Sequence, residues 1–339
     1  MTNKFKKTNP PKQNYRFLKA VEIQPKDDAY HISSNISNIE WWYFDAIFKN
    51  GYSVHIGFRT YHIKKIGLVQ SRINIYKNGK IISEELKIDF FSKFFIDQNF
   101  PTIKINGKTV VYFDRESYEK NKQWRYKINI SINNKKVDLL FIGITKGWKI
   151  ETTDTCWVVP LPKAKVSGEI IIDGEKIEVE GIGYHDHNWD YSITTAMNNL
   201  GWYWGRISTE TMNVTWAKIV QNFFKSDTIA VINKDDENFY NICPDKIEII
   251  TNKNENYERK FFPKVFNLKI KDETTNNIKI YCDIKMNTIE ARYNRIFTIK
   301  YWRFHVLTNG SISIGDHSEN LNNKPQIIEL LKFKAKNFV

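Results

Sequence analysis

Cysteine is nearly missing from this chain: only Cys156, Cys243 and Cys282 occur in 339 residues. They are far apart, odd in number and without metal-type spacing, so no disulfide framework is expected. A reducing, cytoplasmic setting is the simplest match. Glycine and proline are also scarce, at 15 and 9 residues, which sets aside fibrous and low-complexity classes. No run approaches the roughly 18 apolar residues of a membrane helix. The first residues carry charge but lack the apolar core of a secretory signal. There is no Gly-rich phosphate loop and no nucleophile elbow. Helical periodicity is weak throughout.

What the chain does have is apolar and aromatic material. Hydrophobic residues make up 41% and aromatics 14%, with ten tryptophans. That is enough for a large core, and the length suggests two domains. The formal charge is +13. Its lysines are spread along the chain, which reads as a solvated surface rather than a nucleic-acid footprint. Only the start concentrates them, at Lys4, Lys6, Lys7, Lys12 and Arg16, beside Pro10 and Pro11. Residues 1–17 are therefore read as a flexible basic arm.

Alternation with period two dominates the rest. Tyr52 to Phe58 and Arg72 to Tyr76 place large residues on every second position, and Asn78-Gly79 follows as a hairpin turn. Similar turns stand at Asn106-Gly107, Asn133-Asn134, Asp173-Gly174 and Asn309-Gly310. Ser83 to Phe95 is ambiguous, and Ile327 to Phe333 reads as a short closing helix or a final edge strand. Short strands with turns every ten or so residues predict an all-β sandwich or barrel. Pro160-Leu161-Pro162 is the best mid-chain punctuation, and the polar run from Asp190 to Asn199 is the next. The second choice gives two β-domains, 18–189 and 190–339, with the densest motif at their junction.

That motif is Gly183-Tyr184-His185-Asp186-His187-Asn188-Trp189. Extended, it sends Tyr184, Asp186 and Asn188 to one face and His185, His187 and Trp189 to the other. A carboxyl beside a phenol in an apolar pocket is a candidate general acid. The plainer reading is a buried Asp pinning two domains together. His185 and His187 form an H-x-H pair, which one of the isolated histidines, His31, His55, His62, His305 or His317, could complete as a metal site. Structural histidines fit better, so no metal and no cofactor are expected. In Glu40-Trp41-Trp42-Tyr43-Phe44-Asp45, the residues Glu40, Trp42 and Phe44 share one face and Trp41, Tyr43 and Asp45 the other. In Trp202-Tyr203-Trp204-Gly205-Arg206, the residues Trp202, Trp204 and Arg206 share a face, and Arg206 is read as the partner of Glu40. Aromatic faces near a buried acid suit carbocation chemistry, because ring quadrupoles stabilise cations.

These three motifs resemble the AttH/CrtC-like family, which includes carotenoid 1,2-hydratases (hydroxyneurosporene synthases), fungal hydratases and lipocalin-like Diels–Alderases. Val159 to Gly168 also resembles the family's approach to its central motif. The resemblance runs from about Ile39 to the C-terminus. It implies two consecutive lipocalin-like (calycin-type) antiparallel β-barrels with an apolar cavity. It also implies Asp186 as proton donor to an isoprenoid double bond, assisted by Tyr184, with Trp157 at the position of a site-lining tryptophan. One departure is Asp190, where the family often has glycine; Asp tolerates unusual backbone angles better than most residues.

The expected function is therefore binding of an apolar, isoprenoid or lipid-like small molecule near the junction, with acid-assisted hydration of a C=C bond. Asp186 and Tyr184 are the expected catalytic residues. Trp157, His187, Asn188, Trp202, Trp204 and Trp42 are expected to bind substrate, and Glu40 with Arg206 to form a structural pair. The alternatives are a carrier without chemistry, a metal-dependent β-barrel enzyme, or motifs that serve only as inter-domain glue. No nucleic-acid partner and no transmembrane segment are expected.

Overall fold

A computed structural model of the protein describes residues 17–32, 37–63, 66–152, 155–191, 199–222, 224–235, 238–257, 260–296 and 299–333. Residues 1–16 of the expected basic arm lie outside this set, as do 192–198 of the polar run. Alternation does become strands. Arg125–Ile132 buries Tyr126, Ile128, Ile130 and Ile132 and turns the residues between them outward. Each such side chain contributes about 1.5–3 kcal/mol through burial. The expected turns at Asn78-Gly79, Asn106-Gly107 and Asp173-Gly174 all hold positive φ at both residues, the geometry that matches strand twist in two-residue hairpins.

Two antiparallel sheets result. The first runs in the order Lys80–Phe90, Ile66–Lys77, Tyr52–Ile63, Ser37–Phe48, Glu175–Tyr191, Cys156–Ile172, Lys135–Gly143, Arg125–Ile132, Lys108–Phe113, Ile103–Ile105 and Phe94–Ile96, and curls into a nearly closed barrel. The second runs Phe239–Asn241, Ser226–Lys234, Met212–Val220, Gly201–Ser208, His317–Lys332, Ile299–Ile314, Lys279–Ile296, Lys260–Glu273 and Ile247–Tyr257. Each sheet encloses its own apolar core, and a third cluster around Tyr43, Trp148, Tyr184, Trp204 and Ile327 lies between them. The all-β expectation holds. No helix among the described residues is long and apolar enough to cross a membrane.

Four local expectations are corrected. Pro160 and Pro162 do not end a strand; Cys156–Ile172 runs through them, with register shifts at Val158/Leu161 and Leu161/Ala164. Those bulges absorb the missing ladder N–H groups. Asn309-Gly310 is not a turn: Ile299–Ile314 is continuous, and the chain reverses at Gly315. Ile327 to Phe333 is no edge element, because His317–Lys332 lies inside the second sheet, between Gly201–Ser208 and Ile299–Ile314. One helix, Arg115–Asn121, escaped the periodicity reading; it is short and is started by Asp114, whose side chain accepts from the Ser117 N–H at 3.0 Å.

Candidate functional site

The strand Glu175–Tyr191 is central in the first sheet, flanked by Ser37–Phe48 and Cys156–Ile172. Gly183 lets these strands close: a Cβ there would stand 2.8 Å from the Asp45 carbonyl oxygen and 2.7 Å from the Phe141 ring. Beyond Gly183 the motif alternates. Tyr184, with Tyr43, belongs to the cluster between the sheets, whereas Trp189, with Trp42 and Phe44, belongs to the core of the first barrel.

Asp186 is 6% exposed. Its Oδ2 accepts from Trp157 Nε1 at 3.0 Å and from the Tyr184 hydroxyl at 2.8 Å. Its Oδ1 accepts from Asn188 Nδ2 at 3.3 Å. No cation contacts it among the described residues. Burial pushes its pKa up to about 7; the Trp157 and Tyr184 bonds work against this, and the Glu329 and Asp45 carboxylates add to it. Its cross-strand neighbour is Tyr43, and that of Asn188 is Trp41. Trp41, Trp157 and Trp202 are half-buried. Trp41 and Trp202 lie with ring planes 6° apart and centroids 6.5 Å apart, and Trp204 stands 5.1 Å from the Tyr184 ring. Two hollows lie elsewhere on the molecule, one lined by Ser167–Glu169 and Glu178–Glu180, the other by Phe95, Phe100, Tyr112 and Arg115 among others. Neither reaches Asp186.

The other face of the strand carries a second polar group of residues. His187 Nε2 lies 2.9 Å from Glu40 Oε1, and His187 Nδ1 lies 3.4 Å from Asp28 Oδ1. His185 Nε2 lies 2.9 Å from Asp28 Oδ2, and its Nδ1 lies 2.9 Å from the Tyr43 carbonyl oxygen. Tyr126 donates to Asp28 Oδ2 at 2.7 Å. Burial alone would raise the Asp28 pKa, but the two imidazoles hold it down to about 2. His187 is raised, because Asp28 and Glu40 overcome the opposing effect of burial.

No family model matches the chain, and no curated protein matches it. Solved structures do. A protein from Nitrosomonas europaea described as AttH superposes with a TM-score of 0.63 at 16% identity, covering 94% of this chain and 98% of that one. Kievitone hydratase from Nectria haematococca gives 0.54 at 12%, covering 88% and 90%. CghA with Sch210972 gives 0.55 at 10%, covering 87% and 88%. The chain has the AttH-like fold. At these identities the likeness extends to the backbone course and stops there.

Tyr184, Asp186 and Asn188 leave their strand on one face; Trp157 donates to Asp186, Trp204 packs on Tyr184, and Trp202 stacks on Trp41 beside them. The AttH-like fold removes His187 and Trp42 from that group: both point into the first barrel, where their rings stack at 4.3 Å. It also breaks the expected pair of Glu40 and Arg206. Glu40 is an inward position and meets His187. Asp45, five residues on and therefore on the opposite face, meets Arg206, with Nε at 2.8 Å and Nη2 at 2.5 Å from its Oδ1. Sequence reading missed Trp41, Tyr43, Arg303 and Glu329 as members of the inter-sheet site. For Trp41 and Tyr43 the signal was present, since they alternate with Glu40 and Trp42. Arg303 Nη1 donates to Glu329 Oε1 at 2.6 Å and to the Tyr43 hydroxyl at 2.5 Å. Nothing local marks Arg303 or Glu329.

Proposed function

We propose that this protein binds an apolar small molecule against the aromatic surface beside Asp186 and adds water to one of its carbon–carbon double bonds. In this reading the two sheets are two domains, 18–189 and 190–339, and the ligand lies where they meet. The observation that carries it is the hydrogen-bond set on Asp186: three neutral donors, no cation among the described residues, and half-buried indoles on the same face. Such a carboxyl is placed to carry a proton and deliver it. The proton adds to one alkene carbon and leaves a carbocation at the other. The faces of Trp41, Trp157 and Trp202 shield that cation. Water then adds to it and returns a proton to the Asp186 carboxylate, so the acid is regenerated. Tyr184 and Trp157 orient Oδ2, and Asn188 holds Oδ1. That kievitone hydratase shares this fold adds support from outside the chain.

The test is Asp186→Asn, offered with the wild type to a panel of isoprenoid and prenylated alkenes and read by the mass gain of one water. Expected is turnover by the wild type only, with ligand affinity in the variant held within a few-fold. Binding by both proteins without turnover by either would instead make the chain a carrier.

A further inference from the structure

We propose that the interior of the first barrel holds a divalent transition-metal ion, ligated by His31, Glu40 and His187. The three side chains offer one ligand atom each, and these atoms all lie within 4.8 Å of one another. His187 Nε2 is 2.9 Å and His31 Nδ1 is 3.5 Å from Glu40 Oε1. Ligand atoms around a tetrahedral ion with bonds of 2.0–2.1 Å stand about 3.3 Å apart. The group thus needs only small side-chain movements to close on an ion.

A second observation is independent of those distances. Asp28 Oδ1 and His187 Nδ1 are buried and face each other at 3.4 Å, whereas His31 Nδ1 and Glu40 Oε2 are buried and make no hydrogen bond. The side chains of Asp28, Glu40 and His187 are fully buried. Each unanswered atom costs about 1–3 kcal/mol, and two in one cluster call for a common partner. A proton shared by His187 and the two carboxylates leaves His31 Nδ1 and Glu40 Oε2 unanswered. An ion bound by His31 Nδ1 and by both oxygens of the Glu40 carboxylate answers both.

The surroundings are those a metal-binding imidazole uses. With His187 bound through Nε2, its Nδ1–H faces Asp28 Oδ1, the carboxylate–histidine–metal arrangement that fixes tautomer and ring orientation. Asp28 is itself held by the Tyr126 hydroxyl, and its carbonyl accepts from Trp42 Nε1 at 3.0 Å. The His31 main-chain N–H donates to Glu40 Oε1 at 3.0 Å, and its ring stacks on Trp189 at 3.6 Å. The H-x-H pair of the sequence is therefore not the ligand set. His185 is already engaged by Asp28 and the Tyr43 carbonyl, and His31 takes its place. Two imidazoles and one carboxylate suit zinc, cobalt or iron(II) rather than calcium or magnesium. Three protein ligands leave a coordination position open. Asp186 leaves the same strand on the opposite face, so this inference stands apart from the proposed hydration.

The full chain, stripped with a chelator, is titrated with Co2+ and followed by visible absorption, then by competition with Zn2+. One equivalent per chain is expected. His31→Ala removes the one half-exposed ligand, and it should weaken Co2+ binding by at least about 100-fold, while Asp28→Asn should weaken it roughly 10- to 100-fold. Thermal melts of the same samples report that each variant is folded, and Glu40→Gln serves if His31→Ala is not. A wild-type protein that takes up neither ion, or folded variants that bind as the wild type does, overturns the proposal.

Discussion

At the scale of single residues, the alternation of one strand decides the chemistry. Consecutive positions 184 to 189 supply two unlike environments on the two faces of one strand. Asp186 has neutral donors on one side, while His187 sits between two carboxylates on the other. Asp190 ends this run in a register shift between Asn188 and Tyr191, with φ of +58°. The left-handed region costs an L-residue about 1–2 kcal/mol, less for Asp or Asn. It is forbidding for a β-branched residue. Asp190→Val should therefore lower stability by about 1–2 kcal/mol, and Asp190→Gly should leave it unchanged or raise it, as read from urea midpoints. Equal midpoints for Val and Gly would show that the bulge relaxes freely. That Asp would tolerate this backbone was legible from its residue type. That it occupies a bulge was not, because a bulge belongs to the pairing of two strands.

At the scale of elements, the sequence marks where strands exist more clearly than where they stop. Asn-Gly meant a hairpin at 78–79 and 106–107, yet at 309–310 the same pair lies inside a strand. Gly310 has φ of +137°, and a Cβ there would stand 2.0 Å from the Asp283 carbonyl oxygen on the neighbouring strand. The glycine is needed for close approach of two backbones, not for a reversal. Gly310→Ala should destabilise by more than about 2 kcal/mol, since strain at a special φ and a steric clash act together. A melting temperature within error of the wild type would show that the strand slides to make room. Pro160 and Pro162 teach the same point. Read alone they are breaks; in the sheet they are bulges within Cys156–Ile172.

At the scale of the whole molecule, the two sheets are joined by a buried polar seam. Asp45 and Tyr43 from the first meet Arg206, Arg303 and Glu329 from the second, and Lys163 holds Asp235 at 2.8 Å. His305 belongs to this seam: one ring nitrogen lies 2.9 Å from Ser53 Oγ across the gap. Burial, aided by Arg303, pushes its pKa from 6.5 down to about 3. Between those values the unfolded chain binds the extra proton and the folded chain does not. The contribution of His305 to stability is thus unchanged above pH 6.5 and is lost as pH falls from there toward 3, by up to about 1.4 kcal/mol per unit. Denaturation from about pH 7 to about pH 4 should show a steeper loss in the wild type than in His305→Gln, by one proton. Parallel curves would place the acid sensitivity elsewhere.

The amino-acid sequence alone determined the all-β class, most strand positions, the hairpins at 78–79, 106–107 and 173–174, and the face that Tyr184, Asp186 and Asn188 share. These follow from period-two alternation and from residues that tolerate positive φ, both local properties. Only tertiary structure decided partners. It gave Arg206 to Asp45 rather than Glu40, moved His187 and Trp42 into the barrel, and brought His31 beside Glu40. Which carboxylate meets which cation depends on strand order and register across the sequence separation of 161 from Asp45 to Arg206, and no local pattern encodes a distance in space.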